Sequence, residues 1–236
     1  LDDRDDRIRE TAIRWLQTSC DAEAVVKLLT IIQNRDDSDV VRGLALNVIG
    51  QQVGYARIDS HEKRVVLQSA FDVVIDLLED DSATVRWRAG ESLVMMMQSQ
   101  PHAEYPLDIP SDKRQQAVDG IVRLLQDDDE AVRLQVTTLL GYLQDVSTMG
   151  AIIQMLDDES EWVQVAACNA LSYFKDHKVL PQVETKLSSA NGKLREAALK
   201  CLVTILPKNE SITYLERFAD DENYGIRMYV EHQMKQ

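Results

Sequence analysis

The chain has 236 residues and 44% of them are hydrophobic, which is enough for a substantial core in one elongated domain. Its 40 acidic and 26 basic residues give a formal net charge of −14, and so acidic a surface disfavours nucleic acids and anionic membranes as partners. Few glycines and prolines argue against a turn-rich β fold, and the sequence contains no apolar run long enough for a membrane-spanning helix. We therefore expect a cytoplasmic protein.

One pattern recurs seven times along the chain: a pair of acids, a short gap, an aliphatic residue, usually Arg, and then Ala three residues on. The aliphatic residue serves as the anchor of each repeat. Successive anchors are 33, 44, 47, 31, 31 and 32 residues apart, so the period is that of a helical hairpin, with insertions near residues 53–64 and 98–112. The anchors of repeats 1 to 7 are Ile8, Val41, Val85, Val132, Val163, Leu194 and Ile226.

Each anchor belongs to an amphipathic helix, here called helix B. Positions +4 and +8 from the anchor are apolar in every repeat and share one helical face with it. Upstream lies helix A, whose apolar residues also have helical spacing, as in Val74, Leu77 and Leu78. One hairpin cannot bury its own apolar face, so the hairpins must stack. The sequence thus predicts an all-α fold, a right-handed α-solenoid of about seven hairpins in a single domain, residues 1–236.

The first repeat is incomplete in this pattern. Leu1 stands where helix A ends in the other repeats, so repeat 1 has no helix A of its own in the sequence. We expect Ile13 and Trp15 to lack part of their cover and to form an apolar flank. The N-terminal end is therefore a predicted contact surface for another chain or an upstream segment.

Two polar positions accompany the anchor. Position −5 is Asp in every repeat except repeat 6, which has Ser189, and position +1 is Arg in every repeat except repeat 5, which has Gln164. Pairing each Arg with the Asp of the next repeat leaves one broken pair, whereas pairing within a repeat leaves two. The sequence therefore predicts an inter-repeat ladder that fixes the stacking. Its pairs are Arg9–Asp36, Arg42–Asp80, Arg86–Asp127, Arg133–Asp158 and Arg195–Asp221.

The repeat resembles a known family. The stretch LDDESEWVQVAACNALSYF, residues 156–174, looks like HEAT repeats, and is closest to the short HEAT-like type named for phycobilisome lyases. The resemblance covers nearly all of the chain and implies an armadillo-type superhelix. Similar repeats occur in bilin lyases, a di-iron deoxyhypusine hydroxylase, alkylbase DNA glycosylases and many scaffolds, so the resemblance implies the fold more strongly than a function.

The residues do not match the hydroxylase or the glycosylase, whereas the bilin lyase type has no short residue signature to compare and stays open. The hydroxylase type holds iron with several His-Glu pairs, whereas this chain has one, His61-Glu62, in a predicted loop. The glycosylase type needs a basic groove. The paired acids recur at the same turn, which indicates a structural position, and Cys168 and Cys201 suit core packing. We therefore expect no metal, no cofactor and no catalytic residue, and a chain that is not an enzyme. The histidines are His61, His102, His177 and His232.

A stripe on helix B is the best candidate for a binding site. Position +2 lies opposite the core face and is apolar in three consecutive repeats, and position +6 adds a polar margin. The predicted partner-binding residues are Trp87, Glu91, Leu134, Thr138, Val165 and Asn169. The sequence favours a non-catalytic scaffold or adaptor that binds a protein or peptide, including basic ones, through the concave face and the two insertions. The alternatives are a bilin lyase or tetrapyrrole-handling protein and a structural segment of a larger assembly.

Overall fold

The computed structural model describes residues 1–18, 21–54, 60–98 and 107–235. Within these ranges the regular structure is entirely helical, with thirteen α-helices and several short 3₁₀ turns, which confirms the all-α prediction. None of the described helices is both long and apolar enough to cross a bilayer. The helices are α1 (Asp6–Leu16), α2 (Ala22–Gln33), α3 (Asp39–Gly54), α4 (His61–Asp76), α5 (Ala83–Met97), α6 (Ser111–Arg123), α7 (Glu130–Leu143), α8 (Met149–Gln154), α9 (Glu161–Phe174), α10 (Leu180–Thr185), α11 (Gly192–Ile205), α12 (Lys208–Arg217) and α13 (Tyr224–Met234).

The chain divides into two compact units, Leu1–Val132 and Arg133–Gln236, called here the N-terminal and C-terminal units. In the N-terminal unit, the B helices α1, α3 and α5 pack side by side, and the A helices α2, α4 and α6 pack beside one another. In the C-terminal unit, α9, α11 and α13 pack in sequence, and each contacts its own helix A. Stacked hairpins of this kind confirm the α-solenoid prediction. The organisation as one domain stays a prediction.

The predicted core face of helix B is buried throughout repeats 2 to 6. In each of these repeats the anchor and positions +4 and +8 are almost completely excluded from solvent. The prediction fails in α1 of repeat 1, where Ile8 is 53% exposed and Ala12 and Leu16 are only half-buried, and at Met234 in α13, which is 49% exposed. Within the described residues each of these helices has a neighbouring helix B on one side only, so part of its apolar face lacks cover.

The expected flank of repeat 1 is only partly present. Trp15 is 74% exposed, as predicted, whereas Ile13 is completely buried, so that part of the prediction is wrong. Ile13 stands at position +5, where Leu46 and Leu199 are also fully buried. This position faces the following repeat, and α1 packs against α3. A contact through the N-terminal end stays a prediction.

Four of the five predicted ladder pairs form. Each joins the Arg after one anchor to the Asp before the next anchor, and both guanidinium nitrogens engaged lie within 3.2 Å of the carboxylate oxygens. Arg86 and Arg195 also donate to backbone carbonyls of their own A–B turns, so one guanidinium fastens two repeats together. The confirmed pairs are Arg42–Asp80, Arg86–Asp127, Arg133–Asp158 and Arg195–Asp221.

The fifth pair differs from the prediction. Arg9 contacts Asp37 at 2.7 Å and Asp6 at 2.5 Å, and Asp36 is not its partner. In repeats 3 to 6 helix A ends in a 3₁₀ turn directly before the acidic position. In repeat 2, α2 runs to Gln33 with no such turn, and Asn34 has an extended backbone. Repeat 7 also lacks this turn, since α12 ends at Arg217, yet Asp221 pairs with Arg195 as predicted, so the missing turn alone does not explain the change of partner.

At the broken pair of the predicted ladder, the side chains of Gln164 and Ser189 bond within their own repeats. Gln164 donates to the backbone carbonyl of Asp158 in its own repeat, and the Ser189 hydroxyl accepts from the N–H of Asn191. Other polar contacts join the same two repeats, from Lys186 to Asp157 and from the Asn191 side chain to Glu161. That this junction is the loosest of the ladder remains a prediction.

The predicted insertions fall largely on residues 55–59 and 99–106, which lie outside the described residues, as do Cys20 and His102. The described ends of the insertions are helical, since α4 begins at His61 and α6 at Ser111. His61 and Glu62 were predicted to lie in a loop. They form the first turn of α4 instead, where the Ser60 side chain accepts a hydrogen bond from the Lys63 N–H and begins the helix.

Candidate functional site

The structure brings four of the six predicted partner-binding residues together in the C-terminal unit. Leu134 and Thr138 extend from α7 and Val165 and Asn169 from α9, and all four line one groove of about 390 Å³. This groove, with its full lining, is called the α7–α9 groove below. Two adjacent B helices therefore contribute the same two positions, +2 and +6, to one surface.

Helical periodicity explains why these residues face outward. Val163, the anchor of α9, is completely buried, whereas Val165, two residues later, is partly exposed at the groove. Two residues correspond to about 200° of rotation around a helix, so the two valines have opposite environments. Asn169 is exposed one turn further on, and the Thr138 hydroxyl donates to the Leu134 carbonyl.

Three aromatic residues that the repeat pattern did not single out also line the groove. Trp162 is 55% exposed, Tyr142 52% and Tyr173 41%. The Tyr142 and Tyr173 ring centroids are 5.3 Å apart with the rings tilted by 46°. Trp162 stands at position −1 and the tyrosines at +10, and steps of three and four residues join both positions to +2 and +6. Extending the stripe by one turn at each end of the helix would have found them.

Two small residues meet where the helices that border the groove, α7 and α9, approach each other. A Cβ on Gly141 of α7 would lie 2.7 Å from the Cα and the Cβ of Ala170 in α9, which is closer than atoms pack. Glycine at this position therefore permits the close approach of the two helices. The same Cβ would be 3.3 Å from the Tyr173 ring, so this contact also sets the position of an aromatic lining residue.

Polar groups border the aromatic surface. The Lys193 ammonium lies 4.6 Å from the centroid of the Trp162 ring, a cation–π distance. Burial raises the pKa of Tyr173, and its hydrogen bond with Tyr142 raises it further. The Tyr173 phenol therefore stays protonated at neutral pH and remains a hydrogen-bond donor.

The other two predicted residues, Trp87 and Glu91, lie on α5 in the N-terminal unit and form a separate cluster. The Arg88 guanidinium lies 3.9 Å from the Trp87 ring centroid and 2.6 Å from the Glu91 carboxylate. Glu91 also accepts from the Asn47 side chain at 3.2 Å. We call Asn47, Trp87, Arg88 and Glu91 the Trp87 cluster. Its aromatic face and its carboxylate are both engaged by a cation of the same helix.

The two units differ in charge. Residues 1–132 contain 26 acidic and 15 basic side chains, a net −11, whereas residues 133–236 contain 14 and 11, a net −3. The acidity that the composition reveals is thus concentrated in the unit that holds the Trp87 cluster. The α7–α9 groove lies in the nearly neutral unit.

The described thiols are packed in the core. Burial raises the pKa of Cys168 and of Cys201 to about 12, so both stay protonated at neutral pH and are poor nucleophiles. In the part of the chain that the structure describes, no three His, Cys, Asp or Glu side chains are grouped so that they could hold a metal ion.

Comparisons with known proteins agree with the geometry. Residues 149–234 match the family described as HEAT repeats. An archaeal HEAT-like repeats protein from Thermococcus onnurineus NA1 superposes with a TM-score of 0.55 at 17% identity, over 95% of each chain. An engineered protein gives 0.54 at 14% identity, over 89% of this chain and 95% of its own.

A designed armadillo repeat protein, solved in complex with the peptide (KR)4, gives a TM-score of 0.52 at 18% identity, over 87% of this chain and 96% of its own. No curated protein matches the chain. Identities this low establish the fold alone. Together with the repeat pattern and the stacked hairpins, they show that the chain has the fold of HEAT-like and armadillo repeat proteins.

Proposed function

We propose that this protein is a binding scaffold, and not an enzyme, that holds a protein or peptide segment on its B helices, with the α7–α9 groove as the principal site. One observation carries the proposal: two neighbouring B helices present Leu134, Val165 and three exposed aromatic rings on a single surface. Exposed aromatic side chains grouped around a depression are typical of binding hot spots.

An extended segment suits the arrangement of polar groups. Thr138 and Asn169 lie at equivalent positions one repeat apart, beside the apolar positions Leu134 and Val165. A segment crossing the two helices would place side chains on the apolar residues and offer its backbone amides to the polar ones. The designed armadillo protein described above binds a peptide, (KR)4, on a fold of this type.

The partner proposed here also carries basic residues. The N-terminal unit has a net charge of −11, which attracts cations and accelerates their association. Apolar contacts in the α7–α9 groove and charge attraction toward the N-terminal unit are separate contributions. No feature of the described residues favours a bilin lyase or a purely structural segment over this scaffold.

Selection of peptides from a displayed random library against the full chain tests the proposal. Enriched peptides are then titrated against the wild type, Val165→Glu and Val26→Glu. Val26 is 50% exposed on α2, so its variant adds the same charge to another helix. We expect Val165→Glu to weaken binding by about tenfold or more and Val26→Glu to leave it nearly unchanged.

Two results would count against the α7–α9 groove. If no peptide is enriched, the chain is not a general peptide scaffold. If Val165→Glu and Val26→Glu weaken binding equally, the effect is one of net charge and the site lies elsewhere.

A further inference from the structure

The Trp87 cluster contains the elements of a guanidinium-binding site. The aromatic face of Trp87 and the carboxylate of Glu91 lie one helical turn apart on α5. Both contact the planar guanidinium of Arg88. An aromatic face and a carboxylate are the two groups that bind guanidinium most favourably, by cation–π stacking and by charge-assisted hydrogen bonds.

Neighbouring side chains hold this site in place. The Asn47 amide donates to Glu91, and Gln51 in turn donates to Asn47 at 2.8 Å, so α3 orients the carboxylate on α5. Close to the Arg88 stem, position 43 is glycine: a Cβ there would lie 3.5 Å from the Arg88 Cγ. The carboxylate thus has a hydrogen-bond partner of its own that does not depend on Arg88.

The present occupant is in contact with solvent. The side chains of Arg88 and Glu91 are 29% and 20% exposed, and an ion pair three residues apart on one helix contributes little to stability. The ring and the carboxylate remain if Arg88 swings into solvent. A guanidinium from outside can therefore take its place without leaving a buried charge unpaired.

We propose that Trp87 and Glu91 form a cradle for an arginine side chain of the scaffold's basic partner, and that Arg88 competes with it as an internal ligand. This inference rests on the proposed scaffold function and specifies one residue of the partner. Charge complementarity supports the occupant, since the cradle belongs to the unit with a net charge of −11.

Internal competition has a measurable consequence. The partner's apparent affinity is reduced by the fraction of molecules in which Arg88 already fills the cradle. If Arg88 occupies it about nine-tenths of the time, its removal should tighten binding about tenfold. Lysine lacks the planar face, so an oligoarginine peptide should gain more than an oligolysine peptide of equal length.

The test uses the full chain with Trp15→Phe and Trp162→Phe, which leaves Trp87 as the single tryptophan. Arg88→Gln is compared with Arg123→Gln, which removes the same charge from an exposed arginine on α6 that pairs with Glu79. Anisotropy of a dye-labelled oligoarginine peptide reports binding anywhere on the protein. Trp87 fluorescence with unlabelled peptide reports the cradle.

We expect Arg88→Gln to bind the peptide about tenfold more tightly than Arg123→Gln, with a Trp87 signal that saturates at the same midpoint. Adding Glu91→Gln to Arg88→Gln should remove that gain. Equal affinities of the two single variants would overturn the cradle, as would a silent Trp87 in a protein that binds the peptide. In both cases the scaffold proposal survives. Absence of binding by every variant and by the wild type, which keeps Trp162 in the α7–α9 groove, would overturn the cradle together with the basic partner.

Discussion

Arg42 donates hydrogen bonds to both carboxylate oxygens of Asp80, at 3.1 and 2.5 Å, and so joins repeat 2 to repeat 3. Both side chains are almost completely buried, at 3% and 2% exposure. The adjacent residue, Asp81, pairs with Arg35 between the same repeats, but these side chains are 89% and 69% exposed. A single junction therefore contains a buried and an exposed version of the same ion pair.

This contrast predicts unequal losses of stability. Arg42→Ala should lower the free energy of unfolding by about 3–5 kcal/mol, because it leaves the Asp80 carboxylate buried without its cation. Arg35→Ala should cost about 0–1 kcal/mol, since water replaces the exposed contact. Urea unfolding of both variants measures the difference. Equal losses would show that the ladder does not owe its strength to burial.

A ladder carboxylate also predicts a pH dependence. The hydrogen bond from Arg195 is the main cause that lowers the pKa of Asp221; burial opposes it, and the Asn223 N–H assists it. The folded pKa thus lies below the ordinary value of 3.8. The ionised carboxylate contributes stability that is complete above pH 3.8 and is lost as the pH falls through the folded pKa.

Asp221→Asn removes this titration. We expect the variant to be less stable than the wild type at pH 7, and the difference to shrink as the pH falls below about 4. The free energy of unfolding of both proteins, measured from pH 7 to about pH 2.5, checks it. A difference that stays constant over this interval would mean that Asp221 has the same pKa in the folded and unfolded chains.

Much of the fold follows from the sequence because the same pattern of apolar and polar positions recurs in seven repeats. An anchor position such as Val163 is recognised by comparison with its equivalents, and the burial of the anchors of repeats 2 to 7 reflects one shared helical geometry. The ladder was predictable for a related reason. Gln164 is the exception at position +1 and Ser189 is the exception at position −5. Pairing between successive repeats places both exceptions in a single pair.

The sequence failed where one local geometry departs from the average. Arg9 pairs with Asp37 in place of Asp36, and no residue pattern distinguishes this connection from those of the other repeats. The Arg88 side chain could have pointed to solvent, and its position over Trp87 depends on a choice of rotamer. The sequence shows that Gly141 and Ala170 are small, but whether these two residues meet depends on how α7 and α9 cross.

The outward orientation of position +2 is tested by two valines. Val163→Ala should lower the free energy of unfolding by about 1–3 kcal/mol, because it removes methyl groups from the core. Val165→Ala, the same substitution two residues later, should cost less than about 0.5 kcal/mol and should weaken binding of a selected peptide. A large loss of stability in Val165→Ala would place Val165 in the core and end its role in the α7–α9 groove.

Two glycines of the C-terminal unit predict effects of opposite sign. Gly141→Ala should destabilise the protein by about 1–3 kcal/mol, since its Cβ would overlap the Ala170 Cα and force α7 from α9. Gly150→Ala meets no atom within 4 Å and should stabilise the protein by up to about 1 kcal/mol through helix propensity. Thermal unfolding of both variants is the measurement. Stabilisation by Gly141→Ala would contradict the close helix contact.

The interruption of the ladder between repeats 5 and 6 offers a test by reconstruction. Gln164 donates to the Asp158 carbonyl at 2.6 Å, and Arg195, at the equivalent position of the next repeat, donates to the Ser189 carbonyl at 2.8 Å. The remaining nitrogens of Arg195 reach Asp221. An arginine at position 164 can therefore keep the carbonyl contact and extend toward position 189.

Gln164→Arg combined with Ser189→Asp should restore the missing pair. We expect the gain in the free energy of unfolding of the double variant to exceed the sum of the changes in the two single variants by about 1 kcal/mol. The reason is that each change alone adds a charge without its partner. The four proteins of a double-mutant cycle, unfolded in urea at low and at high salt, measure this coupling. If the pair is shielded from solvent as its equivalents are, salt should reduce the coupling only partly. An additive double variant would show that Arg and Asp at these positions do not meet.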